Sequence, residues 1–397
     1  MTSAGYTLKD RNFWKVMLSM LLASMLIFSN MYAVQPLLPV FVEEFGVSVS
    51  VSSLSLSLTI VGLIIGLIVL GFLSDRNGRV FYIKYSLLLS SIPFLVIPFV
   101  ESFSLLLLLR FIQGFVLAGV PAAAIAYISE ETGRKYVSFA VALYISSNAL
   151  GGMLGRVLTG YLSDKYSWQT SFTVFGISGL LIFAAVVFLL PQSRNFQASN
   201  LSFSRDIEEY SYHLKNPSML IVFGLGAILQ LSFTGVWTYL PFHLQDSPYD
   251  MSLQAISYLF FAYGLGVIGS PLAGRMAGYF GLGRVRVFGV FILSSGIFMT
   301  LSLSVPLVII GLCIACLGFF IAHSLTAATV GQEAEHHKGS ASSLYLVSYY
   351  IGVALGSSLL GSIWDLGGWT GLVLLTGTIP LVYLVIVTIY RRNRSIN

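Results

Sequence analysis

The sequence predicts an all-α membrane protein of twelve transmembrane helices in two pseudo-symmetric six-helix domains, and three observations carry that prediction. Hydrophobic residues make up 56% of the chain and charged ones 9%, where a soluble domain has about a quarter charged. Apolar runs of roughly 20 residues, enough helix to cross about 30 Å of hydrocarbon, recur from end to end. Finally, the stretch from Ala142 to Trp168 repeats in the stretch from Ser343 to Trp369 at a constant offset with no gap. Leu143, Tyr144, Ser147, Gly151, Leu154, Gly155, Leu158, Gly160, Asp164 and Trp168 meet their own residue types at Leu344, Tyr345, Ser348, Gly352, Leu355, Gly356, Leu359, Gly361, Asp365 and Trp369. Two homologous membrane halves in head-to-tail order are a common plan for secondary transporters.

The predicted spans of the first half are residues 13–40, 54–72, 81–100, 105–128, 136–161 and 170–190; those of the second are 219–244, 253–272, 285–303, 307–330, 340–361 and 370–390. They are numbered 1 to 12 below. Long continuous apolar segments imply helices rather than barrel strands, because backbone in lipid must satisfy its own hydrogen bonds. Span 1 is too long for a signal peptide and has no small-residue cleavage site after a short apolar core. The long polar stretch 191–218 is expected to be a cytoplasmic linker, with a short solvated helix, between domains 1–190 and 219–397. It is read as a tether that lets the halves rock.

Lys and Arg cluster before span 1, between spans 2 and 3, after span 4, in the linker, between spans 8 and 9, between spans 10 and 11, and at the C-terminal end. All of these fall on one side of a twelve-span chain, whereas the opposite connections offer Lys165. Both termini are therefore expected in the cytoplasm. The net charge of +5 is mostly this asymmetry and implies no nucleic-acid partner. Cys313 and Cys316 lie among apolar neighbours in span 10 and read as small buried side chains rather than a metal or disulfide site. There is no Walker loop, no metal-binding His and Glu pair and no nucleophile triad, so neither an enzyme nor a bound cofactor is expected.

Polar and aromatic side chains at helical spacing mark the faces that could line a central cavity. Tyr144 and Asn148 on span 5 are one turn apart, as are their repeat mates Tyr345 and Tyr349 on span 11. Asn30, Tyr32 and Gln35 on span 1, Gln113 on span 4, Gln230, Trp237 and Tyr239 on span 7, and Tyr258 and Tyr263 on span 8 extend the set. Such surfaces suit a mid-sized organic solute in a largely apolar pocket; each residue alone also reads as packing or an interfacial anchor. Gly151, Gly152, Gly155, Gly352 and Gly356 allow helices to approach closely.

Proton coupling ordinarily uses a buried carboxylate, yet all sixteen acidic residues map to connections or helix ends. Arg110, Arg156 and His323 are the titratable groups left well inside spans and hence the possible coupling residues; of these, His323 is the one able to switch near neutral pH. Arg110 either faces the bundle or snorkels to the outer end of span 4. Arg156 either snorkels, meets a helix-terminal carbonyl, or recognises an anionic or hydroxyl-rich solute.

After span 2 the chain reads Gly71-Phe72-Leu73-Ser74-Asp75-Arg76-Asn77-Gly78-Arg79, which resembles the signature loop of the major facilitator superfamily. The equivalent loop from Gly274 to Arg284 keeps glycines and arginines but has Gly278 where the Asp would stand. Arg110 followed by Gly114 resembles the family's second motif. In span 5, Gly151 and Gly155 keep the antiporter spacing, but Arg156 replaces the proline. The segments Asn148 to Arg156, Tyr32 to Pro39 and Leu54 to Leu58 resemble the drug and sugar efflux branch, arabinose-efflux-permease-like and YnfM-like.

The resemblance implies a plasma (inner) membrane antiporter that works by alternating access, coupling protons to efflux of a small-molecule substrate, as a monomer in the bilayer. An importer or uniporter of an anionic or sugar-like solute is the alternative. Gly71, Asp75, Arg76, Gly78 and Arg79 would form a conformational latch, with Asp75 meeting the start of span 11 near Ser340.

Overall fold

The computed structural model describes residues 5–198, 203–334, 336 and 338–394; residues 199–202 of the predicted linker lie outside them. The described residues are almost entirely helical, with one isolated bridge between Tyr6 and Thr132. Among the described residues eleven helices are long and apolar enough to cross a membrane: Arg11–Phe45, Val49–Asn77, Arg79–Phe99, Phe103–Glu131, Val137–Lys165, Trp168–Leu189, Pro217–Gln245, Leu253–Phe280, Leu282–Met299, Val305–Glu333 and the 57-residue Lys338–Arg394. The last contains Gly368 at φ 56° and ψ −152°. That conformation carries no penalty for glycine, and it divides the element into 338–367 and 369–394. Twelve spans result, as predicted. The linker contributes the amphipathic helix Phe203–Leu214.

Span 1 is interrupted at depth. Its helix Arg11–Tyr32 gives way to a 3-10 turn, Gln35–Leu37, before Leu38–Phe45 resumes. Pro36 and Pro39 lack the N–H groups that would bond the carbonyls of Tyr32 and Gln35, so the regular ladder cannot continue there.

The chain groups into two compact units, Met1–Gly46 with Leu58–Leu201, and Val47–Ser57 with Ser202–Asn397. The first turns of span 2 thus group with the second unit, where Ser57 and Ser357 share a hydrogen bond of 2.8 Å and Ser50 donates to Asp365 at 2.5 Å.

The internal repeat is visible in how each unit packs. In the first unit a Cβ on Gly151 would lie 2.5 Å from the Met25 carbonyl oxygen, and one on Gly155 2.6 Å from the Ser29 backbone. In the second, Gly352 and Gly356 abut the backbone of Ala227 and Leu231 just as closely. Span 5 therefore lies on span 1 as span 11 lies on span 7, at register positions the duplication relates.

The end of span 4 secures two chain segments. The Tyr6 N–H donates to the Glu131 carbonyl at 2.7 Å and the Gly133 N–H to the Tyr6 carbonyl at 2.9 Å. The Glu131 carboxylate is 1% exposed and accepts from Ser193 Oγ at 2.9 Å, the Arg194 N–H at 2.6 Å and the Asn195 N–H at 2.9 Å. The Tyr127 hydroxyl donates to the Pro191 carbonyl at 2.7 Å. The start of the linker is therefore fixed to the first unit, and the freedom expected of a tether begins no earlier than Phe196.

Hydrogen bonds to a charged acceptor contribute about 1.5–3 kcal/mol, so Glu131→Ala is expected to speed trypsin cleavage after Arg194 by at least about tenfold. Limited proteolysis of the folded protein checks this; an unchanged rate would show that other contacts hold the segment.

Candidate functional site

In the first unit, two guanidinium groups converge on the interrupted stretch of span 1. Arg110, from span 4, is 0% exposed. Its Nη1 donates to the Asn30 carbonyl at 3.1 Å and its Nη2 to the Met31 carbonyl at 2.9 Å. These are among the last carbonyls of the helix Arg11–Tyr32, the end of a helix that favours a cation. Arg110 also bonds Gln113 Oε1, while Gln113 Nε2 donates to the Ser90 carbonyl at 2.8 Å. Of the two sequence readings for Arg110, the inward one describes the molecule.

Arg156, from span 5, is 3% exposed. Its Nε donates to Gln35 Oε1 at 2.6 Å and its Nη1 to the Gly152 carbonyl at 2.7 Å, with the guanidinium carbon 3.9 Å from the Tyr32 ring centre. Gly152 makes room: a Cβ there would stand 3.3 Å from Nη1 and 3.4 Å from the Tyr32 ring. The snorkelling expected as one possibility for Arg156 does not occur, because Gln35, Tyr32 and a carbonyl of its own helix supply contacts inside the unit. Nearby on spans 1 and 5, Ser24 Oγ bonds Asn148 Oδ1. The Asn30 amide and the Tyr144 hydroxyl are buried without hydrogen-bond partners among the described residues.

The second unit gathers aromatic rings instead. His323 Nδ1 and the Tyr345 hydroxyl are 2.8 Å apart, and the His323 ring lies parallel to Phe319 at 5.4 Å and 4.9 Å from Tyr349. Phe319 in turn stacks on Phe233 at 3.9 Å, and Trp237 sits 5.0 Å from Tyr263. The Nε1–H of Trp237 and the Oε1 of Gln230 are buried without hydrogen-bond partners among the described residues.

Tyr239 does not join this group. It donates to the Ser357 carbonyl at 2.8 Å, approaches Ser53 Oγ at 3.3 Å and stacks on Trp364. Two residues beyond Trp237, it is on another face of the helix. Tyr258 is likewise apart, 42% exposed and bonded by Gln254.

In the signature loop, Gly78 has φ 102°, a conformation open chiefly to glycine. Arg79 pairs with Asp75 and donates from Nη2 to Glu130 Oε1 at 3.0 Å. Arg76 folds back onto Phe72, donating to its carbonyl at 3.1 Å with the guanidinium 3.4 Å from its ring centre. Ser340 Oγ donates to Glu209 Oε2 at 2.7 Å in the second unit.

Sequence reasoning missed Glu130, Glu131, Phe233 and Phe319. Phe319 and His323 share one helix face at i and i+4, a signal available in the sequence. Glu130 acquires its role through a partner 51 positions away, for which no local signal exists.

The family model described as Major Facilitator Superfamily matches residues 20–357 and again 222–396. The chain is 35% identical over 361 residues to the inner membrane transport protein YnfM of Escherichia coli (strain K12), covering 90% of this chain and 86% of the relative. It is 25% identical over 340 residues to the chloramphenicol resistance protein CraA of Acinetobacter baumannii, covering 81% and 80%. Among solved structures, a D-xylose-proton symporter superposes with a TM-score of 0.76 at 14% identity, over 93% of this chain and 97% of that one.

Proposed function

The chain belongs to the major facilitator superfamily and is a multi-pass membrane transporter, and from that premise we propose that it exports small organic compounds in exchange for protons by alternating access. The internal duplication supports two rocking halves, and the signature loop with its Asp75, Arg79 and Glu130 cluster supports a latch on one side of the cycle. The lysine and arginine asymmetry supports cytoplasmic termini. Export is supported by the efflux-branch motifs and by a relative named for chloramphenicol resistance.

The observation that carries proton coupling is His323. Among the described residues every carboxylate stands at a helix end or in a connection, and this imidazole, at span depth, shares a 2.8 Å hydrogen bond with Tyr345. A histidine held this way takes and releases a proton with a change of partner rather than a change of position. Arg286 of span 9, which donates from Nη1 to Thr329 Oγ1 at 2.9 Å, is a fixed charge in the same unit. Tyr349 is the third titratable group against the imidazole.

The purified protein in vesicles with an internal pH dye tests this reading. Addition of cationic and neutral compounds under an imposed proton gradient is expected to collapse the gradient, and His323→Gln is expected to abolish that collapse while exchange of labelled compound persists. Compound movement with the gradient intact would replace antiport by facilitated diffusion. One observation favours a second reading, uptake of an anionic or sugar-like solute: two guanidinium groups, Arg110 and Arg156, are buried in the first unit. In the same assay that reading requires anionic compounds, and not cationic ones, to move.

A further inference from the structure

A cavity of about 480 Å³ opens at the end of the first unit opposite the signature loop. Glu44 and Phe45 line it from the last turn of span 1, Phe99 and Glu101 from the end of span 3 and the connection to span 4, and Trp168 and Gln169 from the first turn of span 6. Packing sets the inner wall: Trp168, 4% exposed, lies 5.4 Å from Phe41, 5.5 Å from Phe172 and 6.1 Å from Phe45, and Phe45 lies 5.3 Å from Phe103. Phe99, by contrast, is 84% exposed.

The indole of Trp168 is the first feature the fold leaves incomplete. Its Nε1–H is buried without a hydrogen-bond partner among the described residues, and such a donor bears its full desolvation penalty. The duplication shows what this donor does when the fold satisfies it. At the repeat mate Trp369, Nε1–H donates to the Thr300 carbonyl at 3.0 Å, just past the helix Leu282–Met299. The corresponding connection of the first unit, after span 3, lends Phe99 and Glu101 to the cavity wall instead.

Glu44 is the second. It stands in the last turn of the helix Leu38–Phe45, the end that favours a cation and disfavours a carboxylate. Among the described residues its carboxylate has one hydrogen-bond partner, Gln169 Nε2 at 3.5 Å, and neither Glu44 nor Glu101 pairs with a lysine or arginine. Lys165, the basic residue of the neighbouring connection, donates to the Tyr161 hydroxyl at 3.4 Å. A carboxylate among aromatic rings suits an organic ammonium group, which the ring faces also attract.

We infer that this cavity binds an ammonium group carrying an oxygen acceptor a few atoms away, as in an ethanolamine or choline unit. The ammonium lies against Glu44, Phe45 and Phe99, and the oxygen accepts from Trp168 Nε1–H. Such a unit arrives as a free solute or as the headgroup of a phospholipid. The inference does not rest on the transport reading, which concerns other residues.

The test is fluorine NMR of the full chain labelled with 5-fluorotryptophan, in maltoside micelles, with the Trp168 line assigned by its loss in Trp168→Phe. Choline is expected to shift the Trp168 line saturably and leave the Trp369 line in place. Its uncharged isostere 3,3-dimethylbutanol is expected to shift neither line, and tetramethylammonium, which lacks the oxygen, to bind about tenfold more weakly. Glu44→Gln is expected to raise the half-saturation concentration of choline about tenfold; Phe99→Leu, at an exposed position, is expected to raise it about threefold. Phosphatidylethanolamine added to the micelles separates the two sources: if it moves the same line and blocks the choline shift, the headgroup is the occupant, and if choline alone moves the line, a free solute is. No saturable shift by either, an equal shift by the alcohol, or an unchanged half-saturation in a Glu44→Gln protein of unchanged melting midpoint would each overturn the assignment.

Discussion

Gly114→Ala is expected to lower stability by about 3 kcal/mol or more, at the upper end of what overpacking a close contact costs. A Cβ at this position would overlap the backbone carbonyl oxygen of Thr59 and stand 2.7 Å from its carbonyl carbon and 2.9 Å from its Cα. The obstructing atoms are main chain on a neighbouring helix, so no rotamer change relieves the clash; spans 2 and 4 must separate. Gly62 makes the reciprocal approach, with Phe115 N 2.9 Å from its ideal Cβ position. Gly274→Ala is the control: nothing lies within 4 Å of its ideal Cβ, so the change is expected to be neutral or to gain up to about 1 kcal/mol of helix propensity. Melting midpoints in one detergent check both, with a fall of at least about 5 °C for Gly114→Ala and none for Gly274→Ala. Equal midpoints would mean that spans 2 and 4 have slack the contact distances deny.

The second large effect concerns the clasp between Arg156 and Gln35. Arg156→Met removes a charged donor from Gln35 Oε1 and from the face of Tyr32, and a buried hydrogen bond to a charged group contributes about 1.5–3 kcal/mol. The double variant Arg156→Met with Gln35→Leu is expected to be more stable than the sum of the single losses predicts, with a coupling energy in that same range of about 1.5–3 kcal/mol. Transport is expected to fall strongly in the single arginine variant while the protein still purifies folded, since the interrupted stretch of span 1 loses one of its two guanidinium holders. Arg110 holds the other side at the Asn30 and Met31 carbonyls. A coupling energy near zero would release Arg156 from this structural part and return it to solute recognition.

Much of the candidate site was legible because its residues obey local rules. Tyr144, Asn148, Tyr345 and Tyr349 announce themselves by helical spacing and by the repeat; Asp75, Gly78 and Arg79 by a loop whose turn needs glycine; His323 by being the one histidine deep in a span. What each residue does with its neighbours was less legible. Arg156 allowed three readings in sequence, and the choice among them depended on Gln35, 121 positions earlier. Tyr239 looked like a companion of Trp237 until a turn of two residues put it on a different face, against Ser357 and Trp364.

The sequence by itself determined the twelve spans, the duplication, the charge asymmetry and the loop motifs. These depend on hydrophobic length, glycine at fixed positions and chain order, which are properties of segments read one at a time. Only the tertiary structure decided that two buried arginines clasp the broken helix of span 1, that Glu131 fastens the start of the linker, and that Trp168 borders a cavity where its repeat mate Trp369 meets a carbonyl. Those outcomes turn on hydrogen-bond partners brought together from distant positions, and in a bilayer interior a polar group's role is set by the partner that satisfies it.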